Sequence, residues 1–95
     1  MRPRSIKFRT KANQDLLEIF QYSLEAFGEA QAEHYVSDVL KQINILSLFP
    51  MIGVQSKKSS LRILPEQSHV IVYEVYPKHL AILRILSAKA IKSKL

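Results

Sequence analysis

His69-Val-Ile-Val-Tyr-Glu-Val-Tyr76, Pro77-Lys78 and His79-Leu-Ala-Ile-Leu-Arg-Ile-Leu86 form the stretch that decides the fold. Both outer segments are rich in β-branched and aromatic residues, and a proline interrupts them. That is the composition of two strands joined by a tight turn. If the turn pairs Tyr76 with His79, then Ile71, Tyr73 and Val75 share a face with Leu80, Ile82, Arg84 and Leu86. Val70, Val72 and Glu74 then share the other face with Ala81, Leu83 and Ile85. A turn one residue longer would shift this pairing, because side chains alternate with a period of two. In either register both faces are mostly apolar, so the hairpin belongs in the middle of a sheet covered at least partly on both sides.

Upstream, Ser5-Ile-Lys-Phe-Arg-Thr10 alternates polar and apolar residues, as a short strand with one buried face does. Thr10 is placed to cap the helix that follows. Ala12, Leu16, Ile19, Phe20, Ser23 and Phe27 recur at helical spacing, with Asp15 and Glu18 near the positive end of the helix dipole. Gly28 fits the position just past a helix end. A second helix is expected from Glu29 to Leu48, with the stripe Ala32, Tyr35, Val36, Val39, Leu40, Ile43 and Leu46. Pro50 stops it and Gly53 turns the chain. The two helices, separated by about one residue, read as an antiparallel hairpin. It should cover one sheet face through Leu16, Ile19, Phe20, Val36, Val39, Leu40 and Ile43. Residues 54–60 read as an exposed basic loop, Leu61-Arg-Ile-Leu64 as a brief strand, and Pro65-Glu-Gln-Ser68 as a turn into the central hairpin. The order β-α-α-β-β-β defines an α+β domain, a helical hairpin packed on a mostly antiparallel sheet.

The 95 residues make one domain, 1–95, in which 88–95 is a basic C-terminal tail, a weak helix or a frayed end. Cysteine is absent, which removes disulfides and thiolate metal sites from consideration. No apolar run reaches the roughly 18 residues of a membrane span, and the basic N-terminus lacks the apolar core of a signal peptide. The expected location is therefore the cytoplasm, with no membrane partner. The net charge of +6 is unevenly placed. Residues 1–11 carry Arg2, Arg4, Lys7, Arg9 and Lys11. Residues 12–49 carry six acidic residues against Lys41 alone. Residues 50–95 carry eight basic residues against Glu66 and Glu74. Basic ends around an acidic middle favour an anionic partner, nucleic acid or an acidic protein. Lysine serving only solubility accounts for the same excess.

Two glycines cannot build a phosphate-binding loop, and His34, His69 and His79 lack metal-ligand spacing. No metal or cofactor is expected. The polar residues left on the sheet and its loops are Lys57, Lys58, Arg62, His69, Tyr73, Glu74 and Arg84. Arg84 interrupts an otherwise apolar strand. It is an anion contact, an arginine paired with Glu74 or Glu66, or one whose stem covers apolar surface while its head reaches water. Tyr73 reads as a packed strand residue with its hydroxyl at the edge of the sheet. Phosphodiester cleavage needs a base, an acid and charge stabilisation. Arg62, Arg84 and Lys58 could supply the last, and His69 is the one acid–base group on the sheet.

Taken in order, these residues resemble the RelE/ParE superfamily of bacterial type II toxin–antitoxin toxins. The resemblance rests on Ala12, Asp15-Leu16, Ile19, Tyr22, Gly28, Gln31-Ala32 and Tyr35, then Leu46, Pro50, Gly53 and Arg62. It continues through His69-Val-Ile-Val-Tyr-Glu-Val75 and Ile82-Leu-Arg-Ile-Leu86, and so covers nearly the whole chain. It implies a toxin neutralised by a cognate antitoxin that wraps it. RelE-like members cut messenger RNA on the ribosome, with acid–base residues late in the chain. ParE-like members lack that set and inhibit DNA gyrase. Here Ser87 stands where a histidine often follows the Arg-Ile-Leu motif, and residues 88–95 contain no tyrosine or histidine. The resemblance therefore favours the ParE-like branch, with no catalytic residue and with Arg62, Arg84, Lys57, Lys58, Lys89 and Lys92 as target or anion contacts. The alternatives are a RelE-like nuclease acting through His69, Arg62 and Arg84, and a non-toxic homologue that only binds an antitoxin.

Overall fold

The computed structural model describes residues 3–88. Lys89, Lys92 and the rest of the basic tail lie outside the described residues. In chain order the elements are β1 (Ser5–Phe8), α1 (Thr10–Phe27), α2 (Glu29–Leu48), β2 (Val54–Gln55), β3 (Arg62–Glu66), β4 (His69–Val75) and β5 (His79–Ser87). They build a five-stranded sheet in the order β1-β5-β4-β3-β2. β1 runs parallel to β5, and all other pairs are antiparallel. The expected α+β layout, with a helical hairpin on a mostly antiparallel sheet, is the one observed. The loop expected over residues 54–60 begins with a two-residue edge strand, β2, too short for any periodicity to reveal.

Gly28 ends α1 and begins α2. Its N–H donates to the Leu24 carbonyl at 3.0 Å, and its own carbonyl accepts from Ala32 N–H at 3.1 Å. Its φ of +93° lies in the region that glycine enters without steric cost. Thr10 does not cap α1. It is the first helical residue, after Arg9, and no side chain caps that end.

The core joins Ala12, Ile19, Val39, Ile43 and Leu46 of the helices to Ile71, Tyr73, Leu80, Ile82 and Ile85 of the central hairpin. Leu16, Tyr35 and Leu64 pack against it from the side, as do Ile6 and Phe8 of β1. Three residues expected in this interface lie elsewhere. Phe20, Val36 and Leu40 line a shallow hollow with Glu33, Ser37, Lys41 and Asn44. A helix packed on both a sheet and a second helix has a wider apolar arc than the sheet alone needs.

The β4–β5 turn closes as expected, with Tyr76 N–H donating to the His79 carbonyl at 2.9 Å. The Tyr76 and His79 rings stack with centroids 4.6 Å apart. Pairing follows the expected register from Val75–Leu80 to Tyr73–Ile82, and then breaks. Val72 pairs with Arg84, Ile71 with Ile85 and Val70 with Leu86, so β5 carries one extra residue at Leu83. This bulge corrects the expected faces: Ile85, not Leu86, joins Ile71 under the helices. Val70, Val72 and Leu86, beyond the bulge, are buried as well.

Candidate functional site

The bulge sets up a charged cluster that sequence spacing did not reveal. β1 pairs with β5 only as far as Ile82. Beyond that point Asp15, in the second turn of α1, covers the strand. Its carboxylate accepts from Ile85 N–H at 2.9 Å, from Arg84 Nε at 2.8 Å and from Arg84 Nη2 at 3.0 Å. The partner of Arg84 is therefore Asp15, not Glu74 or Glu66. Glu74 instead accepts from the Ser60 and Tyr76 hydroxyls, and Glu66 from Gln67 Nε2. The Asp15 carboxylate holds the Arg84 guanidinium above its ordinary pKa. This is a fork of two parallel hydrogen bonds in a partly buried setting, the strong form of the interaction.

Beside that pair runs a groove of about 340 Å³ lined by Asp15, Glu18, Tyr22, His69, Arg84 and Ser87, among others. It adjoins a hollow of about 370 Å³ in which Tyr22 and His69 recur with Phe27, Gln31, Tyr35 and Ser68. The His69 ring meets Tyr35 edge-on at 5.4 Å between centroids, and the Tyr35 hydroxyl is hydrogen-bonded to Nδ1. When Nδ1 accepts that bond, Nε2 carries the ring's N–H. Burial lowers the His69 pKa, opposed by the negative charge of Asp15, and burial raises that of Tyr35. The imidazole is thus kept neutral and held in orientation.

The lowered pKa carries a stability signature. As the pH falls below the ordinary histidine value of 6.5, the unfolded chain takes up the proton before the folded one does. The contribution of His69 to stability is therefore present above that value and is lost as the pH falls through the folded pKa. Glu66 lies opposite His69 in the strand pair, and Tyr35 and Asp15 face it from the helices. Urea midpoints measured between about pH 7.5 and about pH 5 should decline in the wild type. They should decline less in His69→Gln.

Arg62 stands apart. It pairs with Tyr73 at the far end of β3 from Glu66 and His69. Its Nη1 donates to the Gly53 carbonyl at 2.7 Å and the Met51 carbonyl at 3.4 Å, and its Nη2 to Gln55 Oε1 at 3.4 Å. Next to it the Tyr73 hydroxyl donates to the Pro50 carbonyl at 2.7 Å and accepts from Gly53 N–H at 2.9 Å. That hydroxyl is buried and does not lie at the sheet edge as expected. A Cβ at position 53 would overlap the Tyr73 hydroxyl, so the chain needs glycine there. Tyr73→Phe should cost about 1–2 kcal/mol in thermal or urea unfolding, since it strands a buried donor and a buried acceptor.

Lys57 and Lys58 are exposed between β2 and β3. The structure thus brings His69 and Arg84 into one groove and leaves Arg62, Lys57 and Lys58 at another place. The residues that sequence reasoning missed are Asp15, taken for a helix-dipole partner, and Tyr35, taken for a core residue. Among the described residues no three His, Asp or Glu side chains are grouped to hold a metal ion, and no helix is long and apolar enough to cross a membrane.

Residues 6–91 match the family model described as ParE toxin of type II toxin–antitoxin system, parDE. Among solved structures, the chain resembles one from the chromosomal ParDE system of P. aeruginosa. The identity is 26% over 88% of this chain and 95% of that one, with a TM-score of 0.78. It also resembles a chain of the RelBE2 toxin–antitoxin complex of Mycobacterium tuberculosis (19% identity, 90% and 99% coverage, TM-score 0.63). A chain of the E. coli DinJ-YafQ toxin–antitoxin complex is similar too (12% identity, 95% and 98% coverage, TM-score 0.61). At these last two identities the likeness is one of fold alone. Among curated protein sequences none matches significantly.

Proposed function

Because the chain belongs to the ParE toxin family of type II toxin–antitoxin systems, we propose that it disables its target by binding, with DNA gyrase as that target, and that a cognate antitoxin neutralises it. The observation that carries this reading is the state of the two sheet arginines. Arg84 is neutralised by Asp15, and Arg62 is spent on loop carbonyls. Cleavage through a ribose 2′-hydroxyl needs a base, an acid and a cation to meet the developing charge. Each proton-transfer partner is worth about 10²–10⁴-fold. With Nδ1 accepting from the Tyr35 hydroxyl, His69 presents Nε2–H and no free lone pair to the groove, and the one arginine there already has a carboxylate partner. Contact with an anionic partner falls to Lys57 and Lys58, and to Lys89 and Lys92 beyond the described residues. Arg62 and Arg84 support the surfaces around them. The family match and the 26% identical chain from the ParDE toxin–antitoxin system of P. aeruginosa support the antitoxin as partner.

One observation favours ribosome-dependent messenger cleavage as the second reading: the neutral, oriented His69 in a groove beside Arg84. The experiment is a translating extract programmed with a defined messenger and read by primer extension. The expected result is no new ends in the ribosomal A site, for wild type and His69→Ala alike. Wild-type cutting that disappears in His69→Ala would establish the second reading instead.

A further inference from the structure

The chain has a net charge of +6, yet one of its hollows carries the opposite sign. It is the hollow of about 370 Å³ beside the junction where Gly28 alone joins α1 to α2. Tyr22 and Phe27 of α1, Gln31 and Tyr35 of α2, and Gln67 and His69 line it. Among the described residues no lysine or arginine does. Arg84 belongs to the adjoining groove and is already paired with Asp15.

Carboxylates border the hollow instead. Gln67 Nε2 donates to Asp38 Oδ2 and to Glu66 Oε1, at 3.1 Å each. Glu66 is only 8% exposed, and the neutral Gln67 amide is its side-chain partner; among the described residues no cation pairs with it. Burial and then the charge of Glu66 raise the pKa of Tyr35, which places that carboxylate behind the Tyr35 wall. Asp38 has the exposed His34 ring at 3.4 Å on its other side. Glu18, one helical turn before Tyr22, lines the adjoining groove. A buried carboxylate held by an amide alone keeps much of its desolvation cost, and a cation brought close would offset it.

The walls suit the same kind of guest. Tyr22 and Phe27 are 64% and 62% exposed although both line this hollow. The faces of such rings attract a cation within about 6 Å, most strongly where water is displaced. We propose that the hollow between Tyr22, Phe27, Tyr35 and Gln67 binds a small organic cation, a guanidinium or primary ammonium group carried on an apolar stem. The charged head would sit against Gln67, within reach of the Asp38 and Glu66 charges, and the stem would lie along the Tyr22 and Phe27 rings. An anion would meet those carboxylates with no countercharge, and a neutral ligand would leave Glu66 without one. The volume lies at the small end of the range for small-molecule sites, about 300–1,000 Å³, which favours a free compound over a protein segment. The inference holds whether gyrase or the ribosome is the toxin's target.

The test titrates the full chain with phenethylguanidine, with its uncharged isostere phenethylurea and with the anion hydrocinnamate, following the tyrosine ring protons by NMR. The guanidine should bind about tenfold or more tighter than the urea, and more weakly as salt is added. Hydrocinnamate should not bind. Tyr22→Ala/Phe27→Ala and Asp38→Asn should each weaken the guanidine about threefold or more. Tyr22 and Phe27 are largely exposed, so the melting temperature of the double variant should stay close to wild type. Asp38→Asn keeps the test decisive if the aromatic pair disturbs folding. Equal affinity for guanidine and urea, or guanidine binding indifferent to both variants, would overturn the proposal. So would the absence of saturation by about 10 mM guanidine. An acetylated and amidated alanyl-arginyl-alanine peptide gives the arm for a protein-borne cation and should bind more weakly than phenethylguanidine. Binding of that peptide without binding of phenethylguanidine would overturn the assignment to a free small molecule.

Discussion

Val39→Asp should abolish the folded state. Val39 has no exposed surface and sits where α2 meets the sheet, in one cluster with Ile43, Leu46, Ile71 and Leu80. A carboxylate there would be desolvated without a partner. The expected cost is about 4 kcal/mol or more, which a small domain with a total stability of roughly 5–15 kcal/mol barely survives. Its neighbour gives the contrast. Leu40 is 41% exposed, so Leu40→Asp should stay folded and lose about 1 kcal/mol or less. Circular dichroism and urea unfolding of the two variants separate the observed packing from one in which both residues face the sheet.

The second large effect is expected at Asp15. Asp15→Ala removes three hydrogen bonds at once, two from Arg84 and one from the Ile85 amide. It leaves a cation and a backbone donor facing the same gap. Breaking a buried pair by deleting one partner costs roughly 3–5 kcal/mol. The Arg84 side chain keeps 28% of its surface in water, which reduces the expected loss to about 2–3 kcal/mol. Asp15→Asn keeps an acceptor for the Ile85 amide and should lose about half as much. If both variants unfolded at the wild-type urea midpoint, the Asp15–Arg84 pair would have no part in stability.

The elements legible in the sequence were those with local signals. Gly28 marked the junction of the helices, Pro77 the hairpin turn, and the span of α2 agrees with its pattern and with Pro50. The bulge at Leu83 was illegible because a period of two says nothing of an inserted residue, although Arg84 within an apolar run was its trace. Asp15 and Arg84 are 69 residues apart, and Tyr35 and His69 are 34 apart. Such pairs are created by the packing of the helical hairpin on the sheet and leave no spacing to read. The Tyr73 hydroxyl was misplaced for the same reason: its partners, Pro50 and Gly53, come from a loop whose path is set by tertiary contact. The site was therefore legible as a set of residue types, while their grouping was not.

On the proposed function that grouping separates a toxin that binds from one that cuts, and purified gyrase tests the proposal most directly. Relaxed plasmid, ATP and gyrase are incubated with increasing amounts of the protein, and supercoiled and linear products are resolved. The expected result is loss of supercoiling with accumulation of linear plasmid, unchanged in His69→Ala. Full supercoiling activity at every toxin concentration, together with messenger cleavage in the ribosomal A site, would contradict the account.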